Sequence, residues 1–363
     1  MKPNKEQLTE KALELLKQLI SIQSFSSEED KTADAIEAWF KTFGIPFQRE
    51  INNVYAVNKH FDESKPTLLL NSHHDTVRPN SAYTKNPFHP HIEDGKLFGL
   101  GSNDAGGALV SLIATFTHFY FEENLSHNLL MVASMEEESS GKNSLRGLLP
   151  KLPKIDVAIV GEPTLMQLAI AEKGLVVFDA QVKGTPSHAA HPNDDNPIYN
   201  SIEVLDWFKN YNFDKVSETL GGVKLTVTQI NGGVQHNAVP AQVDLVIDVR
   251  VNDRYSNLEI ADILRLEAPC ELQPRSLRLN SSAIAEDHPL VEAGVALGRE
   301  TYGSPTLSDQ AALSCQSLKL GPGDSTRSHS ADEFIYVHEV EDAIDLYIRI
   351  LERFLKVEPR NKR

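Results

Sequence analysis

The residues with chemistry to offer stand at the ends of hydrophobic runs. Leu68-Leu69-Leu70 reads as a buried strand in the middle of an α/β sheet, and it runs directly into Asn71-Ser72-His73-His74-Asp75. In extended backbone, residues two apart project to the same side, so His73 and Asp75 are expected to face one place together while His74 looks the other way. That pairing suits an imidazole that binds a metal with a carboxylate steering it from behind. A lone His-x-Asp is equally what a solvated strand terminus looks like, and the choice falls to the rest of the chain. Leu129 to Ala133 is another buried run and leads into Glu136-Glu137-Glu138, where adjacent like charges are costly unless a cation or water lies among them. Ile155 to Val160 follows the same grammar and ends in Gly161-Glu162-Pro163-Thr164. Three strands of one sheet therefore end in acid or His, at the edge where open α/β sheets hold their ligands.

Two loops add to this set. A glycine-rich turn, Lys96 to Ala108, carries Asp104 at the head of an apolar helix expected over Leu109 to Phe121. Its spacing fits neither a dinucleotide fingerprint nor a Walker loop, so Asp104 reads as a ligand or a helix cap. A late loop, Gly321 to Phe334, carries His329. The candidates are then His73, Asp75, Asp104, Glu137, Glu138, Glu162 and His329. Nitrogen and oxygen donors without thiolate suit zinc, with cobalt or manganese as substitutes.

The elements that must position these residues follow from periodicity. Leu8, Ala12, Leu15, Leu16, Leu19 and Ile20 line one face of a first helix, and Ser27-Glu28-Glu29-Asp30 reads as the cap of a second helix running to Phe43. Short strands are expected over Pro46 to Glu50, Val54 to Asn58 and Thr67 to Ser72. From Gly174 the order becomes strand, helix, strand, strand, helix, strand, ending near Asn280, which resembles a split βαβ unit. Helices return near Pro289 to Tyr302 and Val340 to Leu355. A lid inserted into a discontinuous catalytic domain is the arrangement this predicts. The chain has 363 residues, 40% hydrophobic and 24% charged, which is room for two globular domains. A net charge of −16 argues against a nucleic-acid surface, and no apolar run reaches membrane-spanning length. Isolated Cys270 and Cys315, with an amphipathic first helix in place of a secretory signal, predict a cytoplasmic protein. His74, His89, His91, His127 and His288 are expected to be solvated.

Taken together, His-x-Asp-Thr-Val at 73 to 77, Gly-x-x-Asp at 101 to 104, the Glu-Glu pair, Gly-Glu-Pro-Thr at 161 to 164 and the late His329 resemble the acetylornithine deacetylase, succinyl-diaminopimelate desuccinylase and aminoacylase family of two-zinc amidohydrolases. The resemblance covers essentially the whole chain and is nearest to the acetylornithine deacetylases. It implies a zinc-exopeptidase-like three-layer α/β catalytic domain, residues 1–173 and 284–363, and an inserted ferredoxin-like α+β lid, residues 174–283, through which two chains pair as a homodimer. It implies that Asp104 bridges two Zn²⁺, with His73 and Glu162 completing one site and Glu138 and His329 the other. Asp75 then orients His73, and Glu137 is the general acid and base. Glu136 can stand for the acidic residue that precedes the pair in relatives; a slip of one residue would make the pair Glu136 and Glu137. Relatives carry Lys and Gly soon after the bridging Asp, where this chain has Ala105-Gly106-Gly107. In the lid, His188 of Gly184-Thr185-Pro186-Ser187-His188 matches a donor to the oxyanion that reaches in from the partner subunit. Asn237 and Arg250 match positions that hold the substrate's α-carboxylate, although Arg250 could equally serve a strand-end salt bridge with Asp248 or Asp253.

The activity so implied is hydrolysis of the amide of an N-acyl-L-amino acid. N2-acetyl-L-ornithine, in arginine biosynthesis, is the expected substrate; N-succinyl-ornithine, N-acetylcitrulline, succinyl-diaminopimelate and dipeptides remain open, because acyl group and side chain are read by pocket shape. A non-catalytic dimeric binding protein of the same fold would be expected to have lost a ligand or the base, and here every such position is filled.

Overall fold

The computed structural model describes residues 3–356. Compact packing divides the chain into two units, one made of residues up to Ile170, Ile284–Tyr302 and those from Ser308 on, the other of Ala171–Ala283 with Gly303–Leu307.

The first unit is built on a mixed sheet. Its central members run Asn53–Val57, Asn128–Ser134, Thr67–His73, Val157–Val160, Gln316–Lys319 in spatial order. Thr67–His73 is parallel to both neighbours, with His73 level with Ser134 and Asn71 level with Val160. Every residue of Thr67–His73, of Asn128–Ser134 and of Val157–Val160 is buried. That is why these strands read as continuous apolar runs. Their faces nonetheless alternate. Leu68, Leu70, Leu129, Met131 and Ile159 enter a core with the helices Lys5–Ile20, Asp30–Thr42, Gly107–Phe119 and Val337–Phe354. Leu69, Leu130, Val132 and Ala158 face a thinner cover with Leu145 and Leu148. The sheet is thus the middle of three layers, as expected.

The first helix buries Leu8, Ala12, Leu15, Leu16, Leu19 and Ile20, the residues its periodicity marks, and Asn4 and Gln7 form its capping box. The second helix, Asp30–Thr42, starts without the expected cap: Ser27 Oγ donates to Glu136 Oε1 at 2.7 Å instead, and Glu29 makes no side-chain cap bond. The helix expected over Pro289 to Tyr302 ends at Val295; Gly298, at φ +79°, turns the chain into the strand Thr301–Ser304.

The second unit is an antiparallel four-stranded sheet in the order Lys224–Gly232, Gln242–Val251, Gly174–Lys183, Glu271–Pro274. With helices Pro197–Asn210 and Asn257–Glu267 between strands, this is the ferredoxin-like arrangement. Val176, Phe178, Ala180 and Val182 alternate toward a core shared with Val204, Phe208, Ile260 and Leu264 of the helices. The last strand stops at Pro274, short of the expected Asn280.

Glycine is required where the site's loops touch. A Cβ on Gly321 would stand 2.5 Å from the main-chain oxygen of Glu162 and 2.9 Å from Ala108 Cβ. Gly321→Ala is therefore expected to destabilise the protein by about 1–3 kcal/mol, read as a lower denaturation midpoint, because neither backbone nor helix can yield cheaply.

Candidate active site

Six side chains converge beyond the ends of the central strands. His73 closes its strand, and its Nδ1 hydrogen-bonds the main-chain oxygen of Asp75 at 2.9 Å. A carbonyl accepts only, so Nδ1 carries the proton and Nε2 is free to ligate. Nε2 is buried without a hydrogen-bond partner, 3.4 Å from Asp104 Oδ1 and 3.9 Å from Glu162 Oε1. The other oxygen of Asp104, Oδ2, lies 3.6 Å from His329 Nε2, which in turn is 3.1 Å from both oxygens of Glu138. One carboxylate thus lies between two imidazoles, presenting one oxygen to each.

These separations suit a metal. Two atoms each about 2.1 Å from a tetrahedral ion are about 3.4 Å apart, longer than a hydrogen bond and close to the His73–Asp104 gap. Ligand atoms of His73, Asp104 and Glu138 all lie within 4.8 Å of one another, as do those of His73, Glu137 and Glu162. Proximity alone does not divide the set between two ions, since His73 belongs to both groups. The orphaned Nε2 and the surplus of carboxylate over imidazole are what a divalent cation would satisfy.

The electrostatics carry the same message. Burial alone would depress the His73 imidazole, but Asp104 and Asp75, with Glu137 and Glu162, outweigh it and hold its pKa well above the usual value. Burial raises Glu137 well above an ordinary carboxylate, and Glu162, Asp309 and Glu138 add to the effect against His73. Burial likewise lifts Glu162 to about 8. The hydrogen bond His329 donates to the Glu138 carboxylate raises its pKa to about 9. Asp104 is held below its normal range, since His73 and His329 overcome its burial.

The Glu run resolves into separate tasks. Glu136, in the left-handed region at φ +55°, turns its carboxylate to Ser27 Oγ, Asn143 N and Asn143 Nδ2 at 2.7, 2.9 and 3.1 Å. Glu137 and Glu138 enter the cluster instead. Asp75 stands beside His73 and also holds the Glu run. Its carboxylate lies 3.4 Å from His73 Nδ1 but makes its hydrogen bonds to Ser26 Oγ at 2.6 Å and to the main-chain N–H groups of Glu137 and Glu138, each at 3.1 Å. The ring meets both the main-chain oxygen and the carboxylate of Asp75, and the carboxylate also anchors the two Glu residues.

In the second unit, Ser187–His188 pairs with Ala238–Val239, and Ala189 N donates to Asn237 O at 3.0 Å, so His188 and Asn237 are neighbours. His188 is exposed, and its Nδ1 accepts from Ala190 N at 3.1 Å. The proton of the neutral ring then resides on Nε2, which becomes a donor. Arg250 stands elsewhere. It pairs across the sheet with Leu175, whereas Gln242, beside the His188 loop, pairs with Lys183. Eight residues of strand at about 3.4 Å each put about 27 Å between these ends. Arg250 is also engaged by Asp248, Nε to Oδ1 at 2.8 Å and the terminal nitrogen to Oδ2 at 3.1 Å.

Sequence reasoning missed Glu29 and Glu333, which brace this cluster. Glu29 is fully buried and accepts from Ser27 N, Glu136 N and Asn52 Nδ2. Glu333, 1% exposed, accepts from Asn103 N and Asp104 N. Asp309 accepts from Ser134 Oγ, and burial raises it to about 6. His74 is not solvated: Thr32 Oγ1 and Asn52 O hold its two nitrogens at 2.9 Å, and burial lowers it to about 4. The only signal for His74 was its place on the far face of a buried strand.

The chain has relatives among known proteins. A model of peptidase family M20/M25/M40 matches residues 69–353, and the chain belongs to this family. It is 25% identical to a succinyl-diaminopimelate desuccinylase of Rickettsia bellii (strain RML369-C), over 94% of this chain and 96% of that one. It is 27% identical to an acetylornithine deacetylase of Proteus mirabilis (strain HI4320), over 95% and 97%. Two solved structures share its fold: the M20 metallo-carboxypeptidase Sso-CP2 of Sulfolobus solfataricus, with a TM-score of 0.75 at 16% identity over 95% of this chain and 99% of that one; and YXEP of Bacillus subtilis, described as a dinuclear metal-binding peptidase, with 0.74 at 15% over 96% and 99%. The protein is an amidohydrolase or peptidase enzyme of this family. Among the described residues no helix is long and apolar enough to cross a membrane.

The two Glu registers make different predictions. Glu138→Ala should lower the bound metal by about one ion per chain. Glu136→Ala should leave metal content intact and lower the thermal midpoint, since its carboxylate only holds Ser27 and Asn143. Elemental analysis of both variants distinguishes the registers.

Proposed function

We propose that the protein hydrolyses the amide bond of an N-acyl-L-amino acid with two Zn²⁺ ions. The observation that carries this reading is the Asp104 carboxylate lying between His73 Nε2 and His329 Nε2, one oxygen toward each. His73 and Glu162 would hold one ion, Glu138 and His329 the other, and Asp104 both. Three ligand carboxylates against two divalent ions leave a net charge of +1, and such ions, when bound, lower the pKa of water toward neutrality. Glu137 takes the proton of the attacking water and delivers it to the departing amine nitrogen, work typically worth roughly 10²–10⁴ in rate. His188 donates its Nε2–H to the oxyanion, and Asn237 and Arg250 hold the substrate's α-carboxylate.

N2-acetyl-L-ornithine is the substrate of the first reading, with a cytoplasmic place in arginine biosynthesis. The second reading is N-succinyl-L,L-diaminopimelate, favoured by the desuccinylase name of the Rickettsia relative. Free amine release from N-acetyl and N-succinyl derivatives of L-ornithine, L-citrulline and L-diaminopimelate by the zinc-loaded enzyme tests both. One member should be strongly preferred; release from none, with two metals bound, would move the activity to dipeptides.

We also propose a homodimer through the second unit. The strand Lys224–Gly232 is an edge of its sheet. Beside it Ile198, Tyr199 and Ile202 of one helix and Ile230 and Val234 of the strand and its hairpin are exposed, Val234 at 99%. An unpaired edge flanked by apolar side chains suits a second copy. His188 and Asn237 on one hand and Arg250 on the other could then serve different active sites. Sedimentation should show a dimer that Ile202→Glu converts to monomer, and a monomeric wild type would sink this part of the proposal.

A further inference from the structure

The geometry points to Glu333 as the residue that sets the Asp104 carboxylate between the two imidazoles, a positioning role that rests on Asp104 being the shared ligand proposed above. Glu333 Oε1 accepts the main-chain N–H of Asn103 at 2.9 Å and that of Asp104 at 3.0 Å. Its own main-chain oxygen accepts from Gly99 N at 2.9 Å. One residue thus holds the glycine-rich turn at its entrance and at its ligand.

The turn needs such a partner. Within Ser102–Gly106, Asp104 has φ −119° and ψ 97°, outside helical values, so the local ladder offers these amides no regular acceptor. Buried main-chain donors require one. On the other side, Asn103 exchanges bonds with Asp324, Nδ2 to O and Oδ1 from N, each at 3.0 Å. The acceptor's origin matters as well. Glu333 is four residues beyond His329, and between them Asp332 accepts from Thr84 N, Thr84 Oγ1 and Lys85 N. A single stretch therefore supplies the imidazole on one side of Asp104, fixes the main chain of Asp104 itself, and ties down its own position through a third loop. Displacing Glu333 would alter the spacing between Asp104 and His329 from both ends.

Only an oxygen acceptor is needed at this position, which gives the test its form. Metal-free wild type, Glu333→Ala and Glu333→Gln are titrated with Zn²⁺ by calorimetry and with Co²⁺ by visible absorption, and the metal-free forms are compared by circular dichroism. Glu333→Ala is expected to keep the wild-type dichroism, to lose about 10–100-fold in metal affinity, as partners behind a ligand typically cost, and to change the Co²⁺ spectrum. Glu333→Gln, with its amide oxygen in the same place, should stay near wild type. Unchanged affinity in Glu333→Ala, or equal loss in both variants, overturns the assignment. Should Glu333→Ala fail to fold, Glu333→Asp, one methylene short of both amides, takes its place, with wild-type affinity again the overturning result. A wild type that binds no metal would refute the metal reading itself, not the placement of Glu333.

Discussion

Like charge crowded at the end of an apolar sheet is the constraint from which this structure follows. Asp104, Glu137, Glu138 and Glu162 meet around two imidazoles, and the strands behind them are buried throughout. Such a group cannot assemble by mutual attraction. Burial and like charge push the pKa values of Glu137 and Glu162 up, and the surrounding carboxylates push those of His73 and His329 up. Their positions have to be imposed from outside, by the main chain and by residues that never face the centre of the cluster.

The imposition works on two scales. On the larger, the parallel register of Thr67–His73 against its neighbours brings the strand ends level, and Gly161 N bonded to Asn71 O at 2.6 Å carries that alignment into the loop bearing Glu162. Fixed packing on both faces keeps it there. On the smaller scale, buried carboxylates accept main-chain N–H groups: Asp75 from Glu137 and Glu138, Glu29 from Glu136. Hydrogen bonds to a charged acceptor are the stronger kind, and each offsets part of the cost of burying that acid.

This division explains what the sequence made legible. Strands buried on both faces and ended by His or acid stand out because composition changes abruptly at His73, Glu136 and Glu162, and the helix Lys5–Ile20 follows from its spacing. The candidate ligands sit at those breaks, and their meeting in space needed only that the strands be neighbours. The bracing residues leave no such trace. Glu29 and Glu333 look like surface acids on polar segments until the fold shows them buried against amides distant in sequence. The strand Gln316–Lys319 escaped notice for a related reason: Gln316, Ser317 and Lys319 are polar, yet the strand pairs in parallel with Val157–Val160 inside the sheet. Asp75 was found beside His73, but its bonds to Glu137 and Glu138 were not, because an alternating strand predicts which way a side chain points and not which amides the next loop will bring to it.

The pair of hydrogen bonds Asp75 accepts from Glu137 and Glu138 has a mechanical meaning. Its two oxygens hold consecutive amides, Oδ1 that of Glu137 and Oδ2 that of Glu138, so the two side chains share one pivot. Neither main-chain amide can shift without pulling on the carboxylate that holds the other. For anyone reshaping this pocket the pair behaves as a single part: sliding Glu137 toward a bulkier substrate drags Glu138 with it, and freeing one from the other first requires a new anchor for whichever is left behind.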